Sequence, residues 1–386
     1  MSRVVARWSR VVGQASVAVL LASIASAQST EPPSTISVEL LSEYVIPGGF
    51  GFQGTCVGGL SALRYDSGRD RYFAISDSRA DARFYQMRLD IAPGDVENDH
   101  RPRIATVELE RVIRLATREG TPYPDGRVDP EGWVRFDERS AFISSEGAAE
   151  EGVPPFVDRI DIETGEWLAS VPIPLAFKPR HEGDRQIQGV RRNLGFESLS
   201  LSPDRRHLYV ASESALAQDT QGLAPGKERF ARLLHFETPG APRLVQELLY
   251  PLMPPPGNVV AHGLVEVLAL DDEGHFLALE RTWGPQMGMV IKLYEINLDQ
   301  FRDEVDRSTL SPAARHLPVL DKRLILDFKE LPILLDNFEG LTFGPPLPDG
   351  SESLLILGDN DNTECQPPKR LSDLRPTKFL LFRLRR

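Results

Sequence analysis

The chain has 386 residues, with 56 acidic and 44 basic side chains and a formal net charge of −12. This acidity disfavours nucleic acid as a partner, because the phosphate backbone of a nucleic acid requires a basic protein surface. It suits the binding of cations, and it equally suits plain solubility, so both interpretations stay open here.

The first 27 residues have the pattern of a secretory signal peptide. Three arginines precede an apolar run over residues 11–24, which ends in small residues. That run is too short for a membrane span, and no later stretch is long and apolar enough for one. We therefore predict an exported protein, periplasmic or extracellular, whose residues 28–386 form a single domain without a membrane partner.

Five segments of the chain repeat one pattern, in which a strand, a polar turn and a second strand ending in an acid follow one another. They are SALRYDSGRDRYFAISD (61–77), EGWVRFDERSAFISSE (131–146), ESLSLSPDRRHLYVASE (197–213), EVLALDDEGHFLALE (266–280) and EGLTFGPPLPDGSESLLILGD (339–359). The repeats start about 70 residues apart, and two further strand-like runs fill each interval. Asp/Gly and Pro/Asp turn signals separate the strands.

Four antiparallel strands per repeat, arranged radially, describe an all-β propeller. We predict five blades; six is the alternative, because residues 78–130 form a long second half of the first repeat. The last repeat lacks an outer strand, and we expect the N-terminal run 34–47 to supply it and close the ring. An open sandwich or barrel of unrelated hairpins is the other possibility.

The polar residues that open the repeats are predicted to converge on one rim of the central channel, because all innermost strands of a propeller run in parallel around its axis. They are Ser61, Glu131, Glu197, Glu266 and Glu339. Oxygen ligands without a histidine or thiolate cluster favour calcium. The closing acids are expected to support these ligands from behind; they are Asp77, Glu146, Glu213, Glu280 and Asp359. In the alternative, the acids accept hydrogen bonds from backbone N–H groups and bind no metal.

Two further groups of residues are expected near this rim. Cys56 precedes the first repeat and Cys365 follows the last, and an even cysteine count in an oxidising compartment favours a disulfide over two buried thiols. Basic side chains in loops at the same rim could bind phosphate, since arginine matches phosphate bidentately; otherwise they are solvated charges. These are Arg180, His181, Arg185, Arg191, Arg192 and Arg281.

Three segments, GGLSALRYDSGRDRYFAISDSR, NLGFESLSLSPDRRHLYVASES and DNFEGLTFGPPLPDGSESLLILGDNDN, resemble the bacterial exported family described as phytase-like, or "esterase-like activity of phytase". The resemblance covers essentially the whole mature chain and implies a propeller. More distantly, the series of opening residues is similar in kind to that of calcium-activated apyrases, five-bladed propellers whose axial calcium is held by serine and glutamate residues from successive blades. The chain has no other apyrase-like motif.

No nucleophile motif is present, since the chain contains neither G-x-S-x-G nor H-E-x-x-H. If the protein is an enzyme, metal-assisted hydrolysis is the economical mechanism: calcium polarises a phosphoryl oxygen, Glu197 or Glu339 orients or deprotonates water, and arginines stabilise the developing charge. The leading hypothesis is a monomeric calcium-dependent phosphoesterase for a small phosphorylated or other anionic substrate. A non-catalytic binding propeller with structural calcium and a calcium-dependent lactonase or carboxylesterase are the alternatives.

Overall fold

Antiparallel β-strands make up most of the computed structural model, which describes residues 35–94, 101–223, 229–254, 259–302, 310–361 and 375–386. The predicted signal peptide and Cys365 lie outside these ranges. Within them there is no α-helix, and no helix that is long and apolar enough to cross a membrane. Five single 3-10 turns occur in the described ranges, at Ala149–Glu151, Leu175–Phe177, Ala217–Asp219, Ala314–His316 and Phe328–Glu330.

The strands of the first half form two four-stranded sheets and two small hairpins. Three strands come first: β1 (Ser37–Ile46), β2 (Gly51–Phe52) and β3 (Thr55–Cys56). The first unit then consists of β4 (Leu60–Asp66), β5 (Arg71–Ser76), β6 (Arg83–Ala92) and β7 (Arg103–Arg114). The second unit is β8 (Pro130–Arg135), β9 (Ser140–Ser145), β10 (Phe156–Asp161) and β11 (Trp167–Ser170). A hairpin of β12 (Arg180–Glu182) and β13 (Arg185–Gln188) follows.

The second half holds three more four-stranded units. The third is β14 (Phe196–Leu201), β15 (His207–Ser212), β16 (Phe230–Glu237) and β17 (Arg243–Pro251). The fourth is β18 (Ala261–Ala269), β19 (His275–Gly284), β20 (Gly288–Arg302) and β21 (Val319–Asp327), and a single parallel bridge joins β17 to β21. The fifth is β22 (Asn337–Phe343), β23 (Glu352–Asp359), β24 (Thr377–Arg385) and β1.

The N-terminal strand closes the fold as predicted. β1 pairs antiparallel with β24 from Ser37 opposite Arg385 to Ile46 opposite Thr377, so the fifth unit takes its outer strand from the start of the chain. The first strands of the five units contact one another in a closed cycle, β4 to β8, β14, β18, β22 and back to β4. The chain is thus an all-β propeller; its count of five blades, with six as the alternative, stays a prediction.

The turn chemistry of the repeats explains why each opening hairpin forms where it does. An aspartate at each turn accepts a hydrogen bond from the backbone N–H two residues later, at 2.9–3.0 Å, which is the geometry of an Asx turn. These residues are Asp66, Asp137, Asp204, Asp271 and Asp349. The second strands that follow, such as YFAI and LYVA, are buried on both faces and rich in β-branched or aromatic residues.

The hydrophobic core lies between neighbouring units rather than at the centre of the ring. One cluster fills each of the five interfaces. Between the first and second units, for example, Trp133 stacks on Phe73 with ring centroids 4.5 Å apart. Because apolar side chains fill the spaces between the sheets, the channel wall is left to the polar ends of the first strands.

Candidate metal centre

A β-bulge near the start of the first strand carries the polar opening residue of four of the units. The register shifts at Ser61 in the first unit, at Glu197 in the third and at Glu339 in the fifth. In the second unit the shift spans Glu131. A bulge leaves one residue outside the strand pairing and re-aims its side chain, which is how buried strands come to present carboxylates.

The closing acids are held beside these bulges by the ends of the same hairpins. The backbone N–H groups of Asp77, Glu146 and Glu213 donate to carbonyl oxygens at the entrance of their own first strands, at 2.8, 3.0 and 2.8 Å. Asp359 pairs with Asn337 in the same way. Close packing then locks the acids against the next unit, since a Cβ added to Gly263 would lie 2.2 Å from Glu213 Cγ.

In the fourth unit the predicted register is wrong by one residue. The bulge falls on Val265, not Glu266, and the position of the closing acid is occupied by Arg281, which pairs with Gly263. Glu266 lies one residue further along β18 and accepts hydrogen bonds from Arg64 (2.7 Å) and Ser198 Oγ (2.5 Å). The Glu266 carboxylate is thus paired with Arg64 and Ser198 and does not belong to the group formed by the other opening acids.

Glu280 is also misplaced by this shift. Its carboxylate accepts hydrogen bonds from the Tyr250 hydroxyl (2.8 Å) and from Lys322, whose ammonium group lies over the rings of Tyr250 and Tyr294. The residue is therefore part of a buried ion pair within the third and fourth units, and the predicted supporting role at the metal site is wrong for it.

Two groups of three buried acids come together on the second and third units. Asp129, Glu131 and Glu146 form one group, Glu146, Glu197 and Glu213 form the other, and within each group the carboxylate oxygens lie within 4.8 Å of one another. We call these five residues the acid cluster; Glu146 belongs to both groups. A further group, Asp271, Glu273 and His275, lies at an Asx turn of the fourth unit and is more exposed.

The acid cluster is electrostatically costly without a cation. Burial, followed by the charge of neighbouring carboxylates, raises the pKa of Glu131, Glu146 and Glu197 well above its ordinary value. The same causes raise the pKa of Asp77 and Asp359. Burial raises the pKa of Glu339 to about 7, although the Arg281 guanidinium opposes that rise.

Three buried oxygen atoms at this end of the channel have no hydrogen-bond partner among the described residues. They are Ser61 Oγ, Asp77 Oδ1 and Glu146 Oε2. Buried polar atoms are normally paired, so orphaned acceptors beside repelling carboxylates fit a missing positive ligand. An all-oxygen donor set suits a hard cation such as Ca²⁺, which takes 6–8 oxygens. The residues present therefore fit calcium.

Arg281 supplies a fixed positive charge next to the acid cluster. Its guanidinium donates to Glu213 at 2.9 Å, to Asn337 Oδ1 at 2.6 Å and to Glu339. Burial alone would lower the pKa of Arg281, but the carboxylates of Glu339 and Glu213 raise it overall, so the side chain stays charged. Arg79 similarly pairs with Asp129 and with Asn193, the latter at 2.7 Å.

A family model described as Phytase-like, esterase-like activity of phytase, matches residues 55–362. The chain belongs to this phytase-like family. None of the curated proteins compared matches it. Among solved structures, an endo-arabinase from Bacteroides thetaiotaomicron is 10% identical, with a TM-score of 0.43, and the match covers 87% of this chain and 96% of that one. The periplasmic gluconolactonase PpgL of Pseudomonas aeruginosa is 12% identical, with a TM-score of 0.35 and coverage of 81% and 85%.

One arginine, Arg64, links three units of this phytase-like propeller through hydrogen bonds to their first strands. The guanidinium of Arg64, which is 6% exposed, donates to the carbonyl oxygens of Leu63, Leu199 and Leu341 in three different units. Each of these carbonyls lies two residues after a bulge residue. Together with the ion pair to Glu266, Arg64 therefore fixes the strand segments that carry Ser61, Glu197 and Glu339.

The predicted phosphate-binding residues are not gathered at the acid cluster, apart from Arg281. Arg180, His181 and Arg185 are exposed on the separate β12–β13 hairpin. Arg191 donates to Ala215 O and Ser214 Oγ, and Arg192 forms an exposed ion pair with Glu150 at 3.4 Å. Local sequence could not reveal this, because a run of basic residues does not indicate which way a hairpin points.

A cavity of about 590 Å³ adjoins the acid cluster on the side of the fourth and fifth units. Arg281 and Asn337, which contact Glu339, form its inner wall. The remaining lining residues are Asn193, Ala261, Trp283, Met289, Leu335, Asp336, Asp361 and Arg375. No residue of the acid cluster lines the described part of the cavity itself; Arg281, which lines the cavity and donates to Glu213, connects the two.

Sequence reasoning missed Asp129 and Arg64. Asp129 lies two residues before Glu131, as Asn337 lies two residues before Glu339, so aligning VDPEG with DNFEG could have revealed it. Arg64 had no such signal, because its partners are backbone carbonyls of distant repeats. Cys56 is buried on β3, and its disulfide to Cys365 stays a prediction.

Proposed function

We propose that the protein is an exported, calcium-dependent hydrolase of phosphoric esters and that the acid cluster is its calcium site. The observation that carries the proposal is the convergence of five buried carboxylates beside orphaned oxygens, next to a cavity large enough for a small substrate. Phytase-like propellers are generally calcium-dependent, and the family is generally exported, which supports both parts of the proposal.

The acid cluster would hold the cation through Glu146, the shared carboxylate, with Glu131 and Glu197 from the bulges and Asp129 and Glu213 beside them. Calcium bound there would supply Lewis acidity toward an ester oxygen and would lower the pKa of bound water. The chain contributes a fixed oxygen cage whose net negative charge exceeds one divalent charge, with Arg79 and Arg281 offsetting the excess.

Glu339 is the better candidate for moving a proton. It lies outside both three-acid groups, is 5% exposed, and accepts hydrogen bonds from Arg281 and from Asn337 Nδ2 at 3.1 Å. Burial raises the pKa of Glu339 to about 7 in the metal-free protein, and a cation bound in the acid cluster would lower it, which favours the base form near neutral pH. Glu197, the other predicted catalytic acid, belongs to the acid cluster and is assigned here to holding the cation.

Phosphate release from aryl phosphates, nucleotides and phytate, with and without calcium, tests this proposal. We expect calcium-dependent turnover that Glu339→Gln reduces at least tenfold, while the calcium affinity of that variant stays within a few-fold of wild type. Folded, calcium-loaded protein that hydrolyses none of these esters would contradict a phosphoesterase and leave a binding propeller with structural calcium.

A carboxyl-ester or lactone hydrolase is the second candidate, and one observation favours it. Both arginines in the described part of the lining are already paired with carboxylates, Arg281 with Glu213 and Glu339, and Arg375 with Asp361. A phosphate dianion would have to compete with those carboxylates, whereas a neutral ester would not. Hydrolysis of aryl acetates or lactones by the same preparation, without phosphate release, would select this candidate.

A further inference from the structure

One wall of the cavity is a continuous apolar face built across three strands. Ala261 on β18 lies opposite Trp283 on β19, and Trp283 lies opposite Met289 on β20. Directly opposed residues on neighbouring strands point to the same side of a sheet. All three line the cavity together with Leu335, and Trp283 is 39% exposed.

This apolar face continues directly into the charged part of the site. Arg281 and Trp283 are two residues apart on β19, so their side chains point to the same face about 7 Å apart along the strand. Arg281 contacts Glu339 and Glu213, while Trp283 faces the cavity. A ligand of ordinary size can therefore reach both groups at once.

Trp283 is the lining residue that leaves the most apolar surface open to a ligand. It is one of the nine large hydrophobic residues that are exposed in the described ranges, and it lines the cavity between Ala261 and Met289. Single exposed hydrophobic residues need no explanation, but a large aromatic side chain exposed in the wall of a cavity is a feature of binding sites.

The charges that line the cavity are balanced. Asp336 lies 3.5 Å from Lys378, and Asp361 is paired with Arg375. Arg281 is shared between two glutamates. Inositol hexakisphosphate carries six phosphate groups, each with roughly 1.5 negative charges or more near neutral pH, and the described lining has no unpaired cations to receive them.

We infer that the cavity binds amphipathic esters, with an apolar, preferably aromatic, group against Trp283, Ala261 and Met289 and the ester group toward Arg281 and Glu339. This inference rests on the proposed hydrolase for the fate of the ligand, but the binding itself does not depend on turnover. The balanced charge of the described part of the lining disfavours highly phosphorylated substrates.

Binding of non-hydrolysable phosphonates tests the inference. Phenylphosphonate and methylphosphonate carry the same head group and differ in the apolar part, so calorimetric titration of the calcium-loaded protein isolates the contribution of the apolar wall. We expect phenylphosphonate to bind roughly tenfold more tightly or better, since burial of a phenyl ring is favourable. Equal affinities would overturn the inference.

Two tryptophan variants locate the effect. Trp283→Ala should remove the preference for phenylphosphonate and leave methylphosphonate binding unchanged, with little loss of thermal stability because the side chain is partly exposed. Trp167→Ala, on the outer strand of the second unit, is the matched control and should keep the preference. If Trp283→Ala keeps the preference, the apolar group binds elsewhere and the inference is wrong.

The outcomes separate the inference from the proposed function. A phenyl preference that depends on Trp283, in a protein that hydrolyses no ester, supports the ligand class and rejects the hydrolase. Calcium-dependent turnover with equal affinity for both phosphonates supports the hydrolase and rejects the ligand class.

Discussion

Glu146 is the residue on which the acid cluster depends most. It is 4% exposed, it is shared by both three-acid groups, and its Oε1 accepts a hydrogen bond from Gly195 N while its Oε2 has no partner among the described residues. One oxygen is thus held by the neighbouring unit, and the rest of the carboxyl group can share a proton with Asp129 or bind a cation. A carboxylate in this position is strained by repulsion when no cation is bound.

We predict that Glu146→Gln weakens calcium binding at least tenfold and raises the thermal stability of the metal-free protein. The affinity falls because the ligand shared by both groups can no longer carry a negative charge. The stability of the metal-free protein rises because glutamine replaces a buried carboxyl group that must either bind a proton or repel its neighbours. Calorimetric titration with calcium and thermal unfolding in a chelator measure the two effects.

Glu280→Gln is the matched control, since Glu280 is another buried acid of the same repeat pattern. It should destabilise the protein by about 3 kcal/mol by leaving Lys322 buried without its charge partner, and calcium affinity should not change. If Glu280→Gln abolished calcium binding while Glu146→Gln did not, the assignment of the fourth unit given above would be wrong.

At the scale of elements, strand pattern and turn chemistry made the propeller predictable. Alternating strand-like runs, aspartates at the turns and the unpaired run 34–47 are local signals, and each corresponds to an observed strand, Asx turn or closing pair. In four of the repeats the opening residue, a serine in the first and a glutamate in the other three, lies at a bulge, and the closing acid lies at the end of the same hairpin. Both positions could be predicted because they recur at fixed offsets from the turn.

The fourth repeat shows what such a pattern cannot settle. Glu266 and Glu280 match the acid pattern in sequence, but each lies one residue away from the position that the acids occupy in the other units. A shift of one residue moves a side chain to the other face of a strand. The bulge at Val265 decides the register, and it is stabilised by contacts with other units, including the pair of Glu266 with Arg64. Those contacts exist only in the folded ring.

We predict that Arg64→Met destabilises the protein by about 3–5 kcal/mol, because it leaves Glu266 as a buried charge without its partner. It should also weaken calcium binding several-fold, since the strand segments that carry Ser61, Glu197 and Glu339 lose their common anchor. Denaturant unfolding and calcium titration at a temperature where both proteins are folded provide the measurements.

Arg232→Met serves as the comparison for this variant. Arg232 is also buried, at 3% exposed, and pairs with Asp219 and Glu247 in the third unit, away from the channel. Arg232→Met should destabilise the protein about as much as Arg64→Met does, without changing its calcium affinity. Equal losses of calcium affinity in both variants would mean that Arg64 acts through general stability alone.

For the whole molecule, the raised pKa values predict an unusual dependence of stability on pH. In the metal-free protein, the folded state binds more protons than the unfolded state at any pH between the unfolded pKa of these acids and their raised folded pKa. The stability that these acids contribute is therefore fully present below pH 4.5, the ordinary pKa of a glutamate. It is lost as pH rises through about 7 for Glu339, and at higher pH for the acids whose pKa is raised further. Acids whose pKa is lowered in the folded protein, such as Asp137, make stability depend on pH only at lower pH.

We therefore predict that the unfolding free energy of the metal-free protein falls as pH is raised from about 5 to about 8. Calcium binding needs deprotonated carboxylates, so the stabilisation by calcium should grow over the same interval. Denaturant unfolding at several pH values, in chelator and in calcium, measures both curves. A metal-free stability that increases over this range would contradict the electrostatics assigned to the acid cluster.

The most direct test of the central claim is a crystal structure of the protein grown in calcium, with anomalous scattering used to locate the ion. We expect a peak bonded to Glu146 and at least two other residues of the acid cluster, with oxygen distances of about 2.3–2.6 Å. Carboxylates that instead hydrogen-bond to one another around a cation-free cluster at saturating calcium would contradict the account.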